Sequence, residues 1–172
     1  MKIIKAEINK FGCLKNKVID FTDGLNTLIE DNGSGKTTTA SFIKAMLFGM
    51  DTVRATSKKE NKIPDREHYC PFGETSFGGT LTIEVNNETY RIEKTFDIKS
   101  ETKDKTKVFD SKGNEVLKGV NLGEHFFGID RESFERTAFI SSTDLDVNRT
   151  DSIKKKLYGI VEGTEENLSY ET

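Results

Sequence analysis

The glycine-rich segment NGSGKT at residues 32–37 constrains what this chain can fold into more than any other part of its sequence. An apolar run, LNTLI, precedes it at residues 25–29, and this run predicts a β-strand. Residues 37–48 follow it with Ala40, Ile43 and Leu47 at helical spacing, and this pattern predicts a helix that packs against a sheet. The sequence therefore predicts a strand, a tight glycine turn and a helix in direct succession.

That succession is the phosphate-binding loop, or Walker A motif, of P-loop nucleoside triphosphatases. Glycines let the backbone N–H groups converge on phosphate oxygens, and the helix N-terminus adds a positive dipole. Lys36 supplies an ammonium for the β- and γ-phosphates and is the expected catalytic residue, while the Thr37 hydroxyl is the expected Mg²⁺ ligand. We therefore expect ATP and Mg²⁺ as cofactors. The expected nucleotide-binding residues are Asn32, Gly33, Ser34, Gly35, Lys36, Thr37 and Thr38.

The motif departs from its usual form at its first position. The pattern G-x-x-x-x-G-K-[ST] places glycine at position 30, where this chain has Glu30. A carboxylate that faces a triphosphate repels it, whereas one that faces solvent has little effect. The sequence leaves both orientations open, as well as a glycine turn that merely caps a helix. If repulsion operates, Glu30→Gly should tighten ATP binding.

The rest of the chain predicts β-hairpins and short helices. The fold class is α/β, with a mixed sheet holding the P-loop strand, the P-loop helix on one face, and an antiparallel β layer over residues 79–117. Strands are predicted at residues 2–7, 18–21, 79–85, 89–96, 107–109, 115–117 and 137–140, the last of them buried. Asn86-Asn87 is the predicted turn of one hairpin. Helical turns are predicted at residues 123–128, after a cap at Asp130, and at residues 152–161.

Residues 1–161 are predicted to form one nucleotide-binding lobe. Within it, residues 51–72 are polar, hold both prolines and predict a mobile surface loop. That loop is either simply solvated, or one or two of its cations, such as Arg66, reach the nucleotide or a nucleic acid. Residues 162–172 are acidic and predict a linker that leads toward a coiled coil absent from this sequence.

Composition restricts the partners and the compartment. The net charge of −3 argues against a nucleic-acid-binding surface that is basic throughout. Cys13 and Cys70 lack metal-ligand spacing and predict two reduced thiols. No apolar run approaches the roughly 18 residues that span a membrane, and charges interrupt the N-terminal apolar run too early for a signal peptide. We therefore expect a cytoplasmic protein without a membrane partner.

The order of elements resembles the N-terminal lobe of SMC-type ABC ATPase heads, and most closely YhaN-like and RecF-like AAA-type ATPases. A hairpin precedes the P-loop and further hairpins follow its helix, unlike the parallel βα units of small P-loop kinases. The resemblance extends to about Ile153. Its sequence blocks are KII at 2–4, NKFG at 9–12, GLN at 24–26, SFIKAMLFG at 41–49, FGGTL at 77–81, YRIEKTF at 90–96 and DRESFERT at 130–137.

The resemblance implies a partner lobe and a second head. Such heads bind ATP and Mg²⁺, and two heads sandwich two nucleotides. A coiled coil leaves the N-terminal lobe, and a C-terminal lobe supplies the signature motif and the Walker B acid. Members act in chromosome maintenance, DNA repair and defence, so the resemblance implies DNA as a partner. It also implies that the loop holding Lys10, Phe11 and Gly12 lies beside the nucleotide base.

Two departures from the family pattern bear on hydrolysis. Relatives carry a glutamine that touches Mg²⁺ and the attacking water, and its position here falls at Ser142, with Asp144 as an alternative substitute. A Walker B strand and a signature loop are absent from the sequence. We therefore expect this chain alone to bind ATP with little or no turnover.

Two other functions remain open at this point. One is a degenerate module that uses ATP as a structural ligand or dimerisation switch without hydrolysis, and Glu30 and Ser142 favour it. The other is a small P-loop kinase, which the chain length fits and the predicted hairpins oppose. Weak, salt-sensitive DNA binding through Lys58, Lys59 and Lys62 is a further hypothesis.

Overall fold

The structure is a computed structural model that describes residues 1–50 and 63–139. The chain divides into two compact units, Met1–Phe134 and Glu135–Thr172. The elements, in chain order, are β1 (Lys2–Phe11), β2 (Leu14–Asp20), α1 (Lys36–Phe48), α2 (Asp65–Tyr69), β3 (Ser76–Val85), β4 (Glu88–Asp97), a 3₁₀ turn (Glu101–Lys103), β5 (Lys105–Phe109), β6 (Glu115–Val116), α3 (Leu122–Phe127) and α4 (Arg131–Thr137).

The described strands form one six-stranded sheet in the order β2-β1-β3-β4-β5-β6, and every neighbouring pair is antiparallel. This confirms the three predicted hairpins. Asn86 and Asn87 have φ angles of 51° and 64°, the left-handed pair that a tight two-residue hairpin turn requires. The predicted β layer is therefore continuous with the opening hairpin and does not form a separate layer.

The hydrophobic core lies between this sheet and α1. Alternate residues of the central strands are buried, among them Leu81 and Ile92, and Phe42 of α1 is also fully buried. Gly79 in β3 permits the close approach, because a Cβ there would lie 2.2 Å from the Glu7 carbonyl oxygen and 3.1 Å from Phe42 Cζ. Burial of these apolar side chains holds the P-loop helix against the sheet.

The predicted strand at residues 25–29 does not form. Among the described strands none pairs with it, and Leu25 and Ile29 are 93% and 87% exposed. A strand needs a neighbour to satisfy its backbone hydrogen bonds, and an apolar pattern alone does not supply one. The P-loop helix α1 does form as predicted, and the Gly49 N–H at its end donates to the Ala45 oxygen at 2.9 Å.

Two further segments differ from the predictions. Residues 65–69, predicted as part of a mobile loop, form helix α2, because its Arg66 side chain is buried and anchored. The buried strand predicted at residues 137–140 is wrong for residues 137–139, since α4 continues to Thr137 and Ala138 is exposed. The predicted cap is confirmed, because Asp130 Oδ1 accepts a hydrogen bond from the Ser133 N–H at 2.8 Å.

Several predictions fall outside the described residues, namely Ile140, the helix at 152–161 and the acidic linker at 162–172. Within residues 1–50 and 63–139, no helix combines the length and apolar character needed to cross a membrane.

Candidate nucleotide-binding site

The loop before α1 has the backbone geometry of an anion cradle. Gly33 and Gly35 have φ angles of 86° and 95°, in the left-handed region that side chains disfavour. A Cβ on Gly35 would lie 2.5 Å from Leu14 Cδ2 and 3.1 Å from Cys13 Sγ, so the β1–β2 hairpin packs closely against this glycine. Helix α1 begins at the next residue, Lys36, and its unpaired N–H groups therefore open onto the loop.

Lys36 folds back over this loop. Its Nζ donates hydrogen bonds to the backbone oxygens of Glu30, at 2.6 Å, and of Asp31, at 2.8 Å. Both acceptors are neutral, so these bonds position the ammonium without neutralising its charge. An anion placed over the loop would meet a positioned positive charge.

Glu30 faces another side chain, and this answers the question that the sequence left open. Its Oε1 lies 2.9 Å from Lys17 Nζ on the neighbouring strand β2. The hydrogen bond from Lys17 holds the pKa of Glu30 below its usual value, so the carboxyl stays ionised and compensated. The repulsion expected of Glu30 is therefore offset by a cation thirteen residues earlier in the chain.

Ser34 provides a test of whether the loop fits a phosphate group. Its Oγ is buried and makes no close hydrogen bond among the described residues, and its hydroxyl interacts with the Glu30 carboxylate, whose pKa it helps to lower. Buried hydroxyls are nearly always paired, so one in a glycine loop that lacks a close hydrogen bond is suited to a ligand oxygen. Ser34 Oγ, the free helix N–H groups and Lys36 Nζ together match the donors that a triphosphate needs.

The three threonines after Lys36 have different environments. Thr37 is exposed, which leaves its hydroxyl accessible to a metal ion. Thr38 Oγ1 lies 3.6 Å from Cys13 Sγ in the β1–β2 turn. Thr39 is buried, and its hydroxyl donates to the Gly35 oxygen at 3.0 Å, which closes the first helical turn. The remaining predicted loop residue, Asn32, is exposed.

The three residues expected beside the nucleotide base have different places. Gly12 lies against the P-loop helix, because a Cβ there would be 2.8 Å from Thr38 Cγ2. Phe11 is fully buried and stacks on Tyr69 with ring centroids 4.8 Å apart, so its ring belongs to the core and this part of the expectation is corrected. Lys10 Nζ pairs with Glu74 at 2.6 Å.

Arg66 is a structural residue in this fold, which corrects its predicted contact with nucleotide. It is 1% exposed, and its guanidinium donates to both Asp104 carboxylate oxygens, at 2.8 and 2.6 Å, and to the Asp97 backbone oxygen at 2.8 Å. Burying a charged guanidinium is costly unless partners such as these replace the water that it loses. Arg66 thus ties α2 to the end of β4.

Sequence reasoning missed Lys17 and Cys13. Neither residue belongs to a motif, and only the antiparallel register of β1 and β2 brings the hairpin to the loop. Ser142 and Asp144, the substitutes proposed for the family glutamine, lie outside the described residues, as do Lys58, Lys59 and Lys62.

A cavity outside the P-loop could also hold a ligand. A cavity of about 590 Å³ is lined by Pro64, Arg66, Glu67, Ile98 and Lys99, and it includes no residue of the P-loop. Within residues 1–50 and 63–139, no three His, Cys, Asp or Glu side chains converge as a metal site of protein ligands alone would require.

Residues 5–171 match an AAA domain family, AAA_23. The chain belongs to this family. It is 29% identical over 143 residues to the DNA double-strand break repair Rad50 ATPase of Nanoarchaeum equitans (strain Kin4-M), and 31% identical over 136 residues to the uncharacterized protein YhaN of Bacillus subtilis (strain 168). These alignments cover 77% and 78% of the chain but span only 16% and 12% of the two relatives.

A solved structure from work on ATP-driven dimerization and DNA-stimulated activation of SMC ATPases is similar over 91% of each chain, with a TM-score of 0.48 and 16% identity. The family and the relatives confirm the expected resemblance, the N-terminal region of an SMC/Rad50/YhaN-like ATPase head. They also confirm the expected class, the α/β P-loop NTPase fold.

Proposed function

We propose that this AAA-family chain is the ATP-binding N-terminal half of an SMC/Rad50/YhaN-like ATPase head, and that it hydrolyses ATP only when a C-terminal lobe completes it. The observation that supports ATP binding is the geometry of the loop. Lys36 Nζ is fixed on two neutral carbonyls of a loop that also holds the buried Ser34 Oγ and leads into a 13-residue helix. These donors suit a triphosphate.

The unpaired segment before the loop supports the need for another lobe. Residues 25–29 are apolar and lie outside the described sheet, and Leu25 and Ile29 expose nearly all of their surface. A strand-like segment of this composition is stable when other strands cover it. A C-terminal lobe that adds strands here would also fix the entry to the P-loop.

Binding of Mg²⁺ would depend mainly on ligands that the nucleotide supplies. Mg²⁺ prefers oxygen ligands and retains several waters, so one protein hydroxyl and phosphate oxygens are sufficient. Thr37 offers that hydroxyl from the exposed first turn of α1. Bound Mg²⁺ would supply charge neutralisation at the phosphates, while Lys36 and the loop N–H groups orient them.

A second head and DNA are the partners proposed for the complete protein. Both rest on the resemblance to SMC-type heads, and one relative is named a DNA double-strand break repair ATPase. We propose that two heads sandwich two nucleotides and that the complex acts in DNA maintenance, repair or defence in the cytoplasm. The net charge of −3 restricts DNA contact to a local patch, so binding should weaken steeply with salt.

The sheet topology weighs against a small kinase. Each described strand pair is antiparallel, whereas P-loop kinases follow the loop with parallel βα units. The non-hydrolysing module stays as the alternative function. The pairing of Glu30 with Lys17 removes one of its two supports, and Ser142 remains as the other.

Phosphate release separates the proposal from its alternatives. The isolated chain should release phosphate from MgATP at or near the uncatalysed rate, because the residues that activate water belong to the other lobe. Appreciable release that disappears in Lys36→Ala would contradict the need for completion. Transfer of phosphate to a small acceptor would instead favour a kinase.

A further inference from the structure

Phe72 is the most exposed of the large apolar side chains among the described residues. Its relative exposure is 107%, so the ring is as exposed as that of a phenylalanine in an extended peptide, and it lies in the loop between α2 and β3. Single exposed apolar residues are common on protein surfaces and need no special cause. The case for a role therefore depends on how the loop is built and where it lies.

The loop holds Phe72 at the corner of a tight turn. The Pro71 oxygen accepts a hydrogen bond from the Glu74 N–H at 3.0 Å, and Gly73 has a φ of 80°. Glycine with positive φ at the third position is the mark of a type II turn. Cys70 Sγ also donates to the Glu74 oxygen at 3.2 Å. The turn is thus fixed internally, and it presents the ring outward instead of burying it.

Both ends of the turn are attached to the β1–β2 hairpin. On one side, the Gly12 N–H donates to the Tyr69 oxygen at 2.6 Å. On the other side, Lys10 Nζ pairs with Glu74 at 2.6 Å. The Tyr69 hydroxyl also donates to Ser41 Oγ of α1 at 2.8 Å. The turn therefore keeps a set position relative to the P-loop helix.

Tyr69, which comes just before the turn, lies close to the start of that helix. A Cβ on Gly12 would touch both Thr38 Cγ2, at 2.8 Å, and Tyr69 Cδ1, at 3.4 Å. Thr38 belongs to the first turn of α1, where the α-phosphate is expected. Phe72 is three residues beyond Tyr69, so the Cα atoms of the two residues are at most about 10 Å apart. A nucleoside attached to an α-phosphate at Thr38 extends over a comparable distance.

We propose that Phe72 stacks on the adenine base of the ATP held by the P-loop. This rests on the proposed function, since it needs a nucleotide in that loop. The exposed ring presents a flat apolar face, and the structure keeps the other nearby aromatic rings, Phe11 and Tyr69, packed against each other. Stacking uses the π-face that every base has, so Phe72 contributes affinity for the nucleoside and little choice among bases.

The first test compares MgATP with magnesium tripolyphosphate, which has the phosphates but no base. Phe72→Ala should weaken MgATP binding by about tenfold, or about 1.4 kcal/mol, which is within the usual range for base stacking. It should leave tripolyphosphate binding unchanged. Phe72→Tyr should restore ATP affinity, and Val120→Ala, which truncates another exposed apolar side chain, should have no effect.

The second test uses the absence of tryptophan from the sequence. Phe72→Trp places a single fluorophore at the corner of the turn. Saturating MgATP should quench it, because a stacked adenine contacts the indole, while saturating tripolyphosphate should not.

The outcomes separate this inference from the proposed function. If MgATP binding depends on Lys36 but is the same in Phe72→Ala, or if the tryptophan is not quenched at saturation, the inference is overturned and the proposed function stands. Equal loss of MgATP and tripolyphosphate binding in Phe72→Ala would also overturn it, by indicating a damaged loop. Absence of MgATP binding by the unmodified chain would contradict both.

Discussion

Lys17 Nζ lies 2.9 Å from Glu30 Oε1, and this pair connects edge strand β2 to the residue that stands in place of the first P-loop glycine. The carboxylate stands at the first position of a loop built to receive a triphosphate, yet its charge is already matched. The pair explains how a P-loop can tolerate an acid at this position. It also makes the charge near the loop depend on a residue that no nucleotide-binding motif contains.

Removing the charge of Lys17 and removing that of Glu30 should change MgATP affinity in opposite directions. Lys17→Met leaves Glu30 as an uncompensated carboxylate and should weaken MgATP binding roughly two- to fivefold. Glu30→Gly removes the acid and frees the Lys17 ammonium, so it should tighten binding by a similar factor. Titrations at low and high salt should show both effects shrinking as salt rises.

The double variant Lys17→Met with Glu30→Gly serves as the control, because it removes both charges and should bind much as the unmodified chain does. Tighter binding in Lys17→Met would contradict the electrostatic account.

Cys13 should report nucleotide binding through its accessibility. Its thiol is exposed and lies 3.6 Å from Thr38 Oγ1 in the first turn of the P-loop helix. Alkylation by iodoacetamide, followed by mass spectrometry, should modify Cys13 and slow severalfold when MgATP is bound. Burial raises the pKa of the Cys70 thiol, which makes it the slower internal reference. If saturating MgATP left the rate of Cys13 alkylation unchanged, the nucleotide would have to bind away from Cys13 and Thr38.

Sequence reasoning predicted most of the P-loop region because its signals are local. Glycine turns, the Asp130 cap and the Asn86-Asn87 turn depend on residues within a few positions of each other, and all three are in the structure. The strand at 25–29 failed because strand formation depends on a neighbour, and the apolar pattern does not reveal whether one is present. The partner of Glu30 was missed because it depends on strand register.

Arg66 is another residue whose environment depends on a distant part of the chain. Its position in a charged, proline-containing segment indicated an exposed cation, but its guanidinium is buried on Asp104, which is 38 residues away. Arg66→Leu should therefore destabilise the fold by about 3–5 kcal/mol, because it leaves the Asp104 carboxylate without its partner. Urea unfolding measures this loss directly.

Two comparisons complete that test. Asp104→Asn removes the other charge and should also destabilise the fold, while the double change should cost less than the sum of the single ones. MgATP affinity of the folded Arg66→Leu protein should be unchanged. A selective loss of affinity without a loss of stability would restore Arg66 as a nucleotide contact.

Lys94 should make stability depend on pH above neutrality. Its Nζ donates to the Met46 oxygen near the end of the P-loop helix at 3.0 Å, and burial lowers its pKa to about 8, with Arg66 adding to and Asp104 and Glu101 opposing that shift. Between about 8 and the ordinary value of 10.5, the unfolded chain holds the proton that the folded chain has lost. Folding therefore becomes more favourable as pH rises through this window.

The Lys94→Met variant isolates this effect from other groups that titrate at alkaline pH. The free energy of unfolding of the unmodified chain, relative to Lys94→Met, should rise by on the order of 1–3 kcal/mol from pH 8 to pH 10.5. Urea titrations at three pH values measure the difference. A difference that stays flat or falls would contradict burial as the cause.

Calorimetric titration of MgATP into the unmodified chain and into Lys36→Ala tests the central claim most directly. The account predicts saturable binding, with one nucleotide per chain, that is lost in Lys36→Ala while the variant keeps its fold by circular dichroism. Binding that is unaffected by Lys36→Ala, or no binding by the unmodified chain, would contradict the claim that residues 32–38 are a working nucleotide site.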